Sequence, residues 1–144
     1  MKKALILATF VMTLVGCASV TMGDAKQDVS LKTFAIAPDK SAVYIYRNES
    51  FGAGVKMSVT VDGQMIGQTA AQTYLYKELS PGKHTVTSIA ENDSTVVVDA
   101  KVGTLQYVWQ EVKMGLLYAR TQLSVVGEDV GQKGVLESKL AETK

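Results

Sequence analysis

The chain has 144 residues, with 15 Lys and Arg against 14 Asp and Glu, one histidine and one cysteine. So even a charge balance gives no electrostatic case for nucleic acid, and a lone cysteine excludes an intramolecular disulfide framework. The length is that of one domain. In chain order, Lys2 and Lys3 form a basic head, Ala4 to Leu14 an apolar run, and Val15 and Gly16 lead to Cys17. The apolar run is shorter than the ~20 residues a membrane-spanning helix needs. Residues 1–16 therefore read as a secretory signal peptide.

Leu14-Val15-Gly16-Cys17 resembles the bacterial lipobox. That resemblance implies that the Cys17 sulfur takes a diacylglycerol and that its freed amine takes a further chain of the palmitate type. One acyl chain holds a protein only marginally, and more than one makes attachment stable, so a membrane contact through an N-terminal lipid is expected. Ala18 and Ser19 follow the cysteine. The absence of Asp there favours the outer membrane, with the chain facing the periplasm. Without Lys2 and Lys3, 13 basic residues stand against 14 acidic ones.

Residues 17–30 are small and polar with no apolar period, and read as a lipidated N-terminus with a flexible tether. Fully extended, it would let the domain stand up to roughly 40 Å from the membrane. Residues 31–144 form the folded domain. From Ser41 the dominant period is two. Strands are expected at SAVYIYR, VKMSVTV, TYLYKEL, HTVTSIA, STVVVDA, LQYVWQEV and ARTQLSVV. Asp62-Gly63 is the dipeptide that a type I′ turn favours, and Ser80-Pro81-Gly82 is a second turn. Val135, Leu136 and Leu140 have roughly helical spacing near the carboxyl end. The expected fold is all-β, an antiparallel β-sandwich of about seven to eight strands with a short C-terminal helical segment. A barrel is the alternative.

VTVDGQMIGQT followed by YKELSPGKHTVTS resembles the PEGA-type surface domains, with Asp62, Gly63, Gly67, Pro81, Gly82 and His84 in the matching places. The wider run from about Lys40 to Leu140, including AVYIYRNESFGAGVKM and VWQEVKMGLLYAR, resembles an uncharacterised family of bacterial lipoproteins, a domain of unknown function. These resemblances imply a β-sandwich in the cell envelope and carry no activity, substrate or catalytic residue.

No catalytic constellation emerges. His84 is the sole histidine, and a metal site needs three or four ligands, so neither a metal nor a cofactor is expected; capping a turn is its expected role. Phe51-Gly52-Ala53-Gly54 precedes a strand instead of the helix a phosphate loop requires. Glu78, Glu91, Asp93, Asp99 and Glu111 fall in turns or on polar strand faces, where solvation explains them better than glycoside hydrolysis.

The segment from Lys113 to Arg120 carries Met114, Leu116, Leu117 and Tyr118 where a hairpin tip is usually polar. These side chains either fold back to cap the sandwich or stand exposed, with Phe51, as a surface for an envelope protein or the bilayer, flanked by Lys113 and Arg120. Tyr107 and Trp109 share one strand face, and Tyr44 and Tyr46 another. Core packing accounts for one such pair, and Tyr107 and Trp109 are candidates for stacking on a sugar. The expected function is that of a non-enzymatic, lipid-anchored binding or structural accessory module. The alternative is a receptor or carrier for an envelope glycan or lipid fragment.

Overall fold

A computed structural model describes residues 19–144. The signal peptide read over 1–16 and the lipidation at Cys17 lie outside the described residues. Helix α1 (Ala25–Leu31) comes first, followed by β1 (Ser41–Arg47), β2 (Met57–Val61), β3 (Gln64–Thr69), β4 (Thr73–Leu79) and β5 (Gly82–Ile89). Then come β6 (Asp93–Ala100), β7 (Leu105–Met114), β8 (Ala119–Val126), α2 (Glu128–Leu136) and β9 (Lys139–Leu140). The strands form two sheets, ordered β8-β7-β1-β4-β9 and β3-β2-β5-β6, so the expected sandwich with a late helix is present. Asp62 and Gly63 both adopt positive φ, 50° and 78°, as a type I′ turn requires.

The pairing is not purely antiparallel. β1 runs parallel to β7, and β4 runs parallel to β9. β4 already occupies one edge of β1, and β5 and β6 lie in the other sheet before the chain returns. The return enters beside the start of β1, where Gly103 N donates to Lys40 O and Ala42 N to Thr104 O. A strand starting from that end has to run the same way as β1.

Every residue of β1 is buried, which explains its alternation of aliphatic and aromatic side chains. Val43 and Ile45 face the space between the sheets, together with Val59, Leu75, Val86 and Val108. Tyr44 and Tyr46 face outward and join Tyr74 and Tyr107 in a second apolar cluster, which Leu31, Phe34, Val135 and Leu140 cover. The Tyr44 and Tyr107 rings stack with centroids 5.4 Å apart. In α2, Gly131 backs onto the Tyr107 ring and Gly134 onto the Tyr46 ring, so closely that an added Cβ would overlap either ring.

The expected flexible tether through residue 30 is corrected by the segment's own partners. Gly23 N donates to Leu140 O, Glu142 N donates to Thr21 O, and Met22 bridges Ala141. Val20 packs on the inter-sheet core. The Asp24 side chain caps α1 by accepting from Gln27 N. Asp28, on the same helix, accepts from Tyr74 Oη and Leu140 N and pairs with Lys32. The segment from Val20 to Gly23 thus belongs to the folded body, where Leu140 to Glu142 hold it.

Candidate functional site

Three loops meet at the end of the sandwich where β1 and β7 finish. The first follows Arg47, whose side chain is fully buried. Its Nη1 donates to Val55 O (2.7 Å) and its Nη2 to Gly52 O (2.6 Å), so one guanidinium holds both sides of the 51–55 loop. Burial pushes the Arg47 pKa down, and the nearby negative charge of Glu49 opposes that. The Glu49 carboxylate accepts from Val112 N and fastens the loop to β7.

The second loop is the β7–β8 tip. Glu91, from the β5–β6 turn, accepts from the backbone N–H groups of Leu116 (3.0 Å) and Tyr118 (3.2 Å), and more loosely from Leu117. The Tyr118 amide and its neighbours hold the Glu91 carboxyl below its ordinary pKa, and Arg120 adds to the effect. A Cβ at Gly115 would meet the Glu91 carboxylate and push it off the tip amides. With its amides tied inward, the tip presents Leu116 at 92% exposure and Leu117 at 95%. Of the two arrangements open from sequence, the folded-back cap is therefore overturned. Met114 is 82% exposed, Tyr118 58% and Phe51 55%. Tyr118 Oη accepts from Lys56 N (3.3 Å), which joins the tip to the first loop. Lys56, Lys113 and Arg120 are all exposed around it, and Lys113 pairs with Glu111.

Beneath this end a fully buried polar chain links the sheets. Thr69 Oγ1 donates to Gln110 Oε1, Gln110 Nε2 donates to Ser88 Oγ (2.6 Å), and Ser88 shares a hydrogen bond with Thr121 (2.7 Å). Every member has a partner, which is what makes a buried polar chain stabilising instead of costly. Arg47 and Gln110 were not singled out from sequence, and Glu91 was read there only as a solvated carboxylate. An Arg ending a strand and a Glu in a turn look solvated until their distant partners are known.

Tyr107 does not offer a stacking surface, contrary to the expectation for the Tyr107–Trp109 pair. It is 2% exposed, with α2 over its ring. Trp109 packs against the same cluster, with its indole N–H buried and unpaired.

His84 lies at the opposite end, where Nδ1 is 2.6 Å from Asp62 Oδ2 and Nε2 is 2.7 Å from Ser80 O. Both partners are acceptors, so the ring spans two turns in an arrangement that favours its doubly protonated form. The Asp62 carboxylate and then the Ser80 carbonyl raise the His84 pKa above 6.5. A raised histidine pKa stabilises the fold fully below the unfolded value, and that contribution fades as pH rises through the folded value. The difference in urea midpoint between the parent and His84→Ala should therefore be largest below pH 6.5 and shrink as the pH rises above it. The single histidine ring resonance in an NMR titration should show a midpoint above 6.5.

Among the described residues, no three His, Cys, Asp or Glu side chains lie close enough together to hold a metal. No helix among them is long and apolar enough to cross a membrane. Residues 37–122 match a family described as protein of unknown function (DUF2846). A protein of Haemophilus influenzae described as uncharacterized is 27% identical over 128 residues, which cover 87% of this chain and 76% of that relative.

Proposed function

We propose, for a chain that belongs to the DUF2846 family of proteins of unknown function, the role of a non-enzymatic, lipid-anchored accessory module of the bacterial envelope. It is held through Cys17 in the outer membrane, faces the periplasm, and works by contact through the loop end of its sandwich. The leader and lipobox-like residues 14–17 support the anchor, and the PEGA-like turns fit a surface domain. The observation that carries the binding role is the tip itself. Two leucines stand more than nine-tenths exposed on a backbone that Glu91 fixes in place. A soluble surface rarely maintains a contiguous apolar patch without a partner for it. Against hydrolysis, both nitrogens of the sole histidine are occupied by Asp62 and a backbone carbonyl, which leaves neither to activate a hydroxyl.

The anchor is tested by intact mass and by labelled palmitate. The mature chain should carry the lipid on residue 17, and Cys17→Ala should release it from membranes. An unmodified thiol on a freely soluble product would overturn the proposal. The contact role is tested with the double variant Leu116→Ser, Leu117→Ser. Its unfolding free energy should stay within about 0.5 kcal/mol of the parent, while membrane-fraction crosslinks from a photoreactive group at Met114 should be lost.

A further inference from the structure

We infer that the occupant of this apolar end is the bilayer surface itself. The tip and Phe51 would enter the headgroup region beside the chain's own lipid, an inference that rests on the anchored role proposed above.

The first observation is where Ser19 sits. Ser19 and Val20 line a shallow depression with Ala70, Gln72, Glu137 and Lys139. Thr73, next to them, pairs with Arg47 at the finish of β1, so Ser19 stands on the loop-end side of the sandwich. The surface is continuous from there to the tip. Glu137 accepts from Asn48 Nδ2 (2.7 Å) at the head of the 48–56 loop, and Lys56 of that loop touches Tyr118.

The second observation is the length of the leash. Only Ala18 separates Cys17 from Ser19. Two residue steps span no more than about 7 Å, against the roughly 40 Å a free tether would allow. A lipid on residue 17 therefore keeps the Ser19 side of this end within about 7 Å of the attached residue, and the tilt of the body is set by what the rest of the end carries.

The third observation is what that end carries. Tyr46 pairs with Trp109, so β7 runs on from Gln110 to Met114, about 13 Å past the finish of β1. The tip is the part that projects. Its leucines are apolar, and its exposed basic neighbours Lys56 and Arg120 suit anionic headgroups. The nearby carboxylates have partners in the protein: Glu49 accepts from Val112 N, Glu91 from the tip amides, and Glu111 pairs with the exposed Lys113. Apolar side chains with a basic rim are the pattern of shallow interfacial insertion.

With its only native thiol lipidated, the mature chain accepts a thiol probe at one introduced site. The full-length lipidated protein is reconstituted into vesicles of phosphatidylethanolamine and phosphatidylglycerol, with a spin label at Leu117→Cys or, at the far end, at the exposed Val102→Cys. Flotation reports the anchor, and collision with a water-soluble nickel chelate reports depth. The expected result is flotation of both, with the Leu117 label several-fold less accessible to nickel than the Val102 label and relaxed by lipid-soluble oxygen. Equal accessibility on floating vesicles overturns the inference and leaves the anchor standing. Failure to float removes the anchor and this orientation with it. A label that is wet on vesicles but protected in native envelopes also overturns it, in favour of a protein partner.

Discussion

Arg47→Met should lower the unfolding free energy by about 3 kcal/mol, which for a domain of this size is about 10 °C in Tm. The substitution removes a costly buried charge, which works in the variant's favour. It also leaves the carbonyls of Gly52 and Val55 without the donor that holds them. Hydrogen bonds to a charged donor are worth about 1.5–3 kcal/mol each, and an orphaned buried acceptor costs about 1–3 kcal/mol. The loss therefore wins. Arg47→Lys should rescue little, because an ammonium group lacks the fork that reaches both sides of the loop. Thermal unfolding measures the size of the effect. Amide exchange locates it, with protection falling first at Val55, whose N–H donates to Gly52 O. A variant as stable as the parent would mean that solvent can replace the guanidinium, and that the loop is not held from within.

Gly134→Ala should destabilise by about 2 kcal/mol net, the opposite of what local preference dictates. In an exposed helix the change would gain about 1 kcal/mol. Here the new methyl group meets the Tyr46 ring, and overpacking a filled site costs about 1–3 kcal/mol or somewhat more. Gly131→Ala, against Tyr107, should behave alike. The double variant should cost less than twice either one, because once α2 lifts from the tyrosines the second methyl has nothing to strike. Urea midpoints test the sign, and tyrosine near-ultraviolet dichroism should fade in parallel. A gain in stability would show that α2 sits farther from the sheet.

These glycines show how much the sequence disclosed. Gly131 and Gly134 look like weaknesses in a helix, yet they are what lets the helix backbone rest on aromatic rings. The strands were legible, because alternation is a local property that the pleat turns directly into two faces. So was Asp62-Gly63, whose backbone needs are met within two residues. The apolar tip was legible as an anomaly, and its exposure depends on Glu91, some 25 residues away, which no local pattern couples to it. The parallel entry of β7 and the buried fork of Arg47 also depend on partners distant in sequence. The helix over Ala25–Leu31 left a trace that went unused: Asp24 and Gln27 have the spacing of a capping box. Tyr107 was misjudged because alternation says that a face exists, and is silent on whether water or another element covers it.

The seam between Gly23 and Leu140 has a consequence for how the domain is made. Residues 21–23 can find their places only after Leu140 to Glu142 have been made, so this edge of the sandwich cannot close while the chain between them is still emerging. That closure joins segments more than a hundred residues apart, and it is slow in the way that distant pairings are slow. A protein cut just before Leu140 would lose both sides of this clasp together.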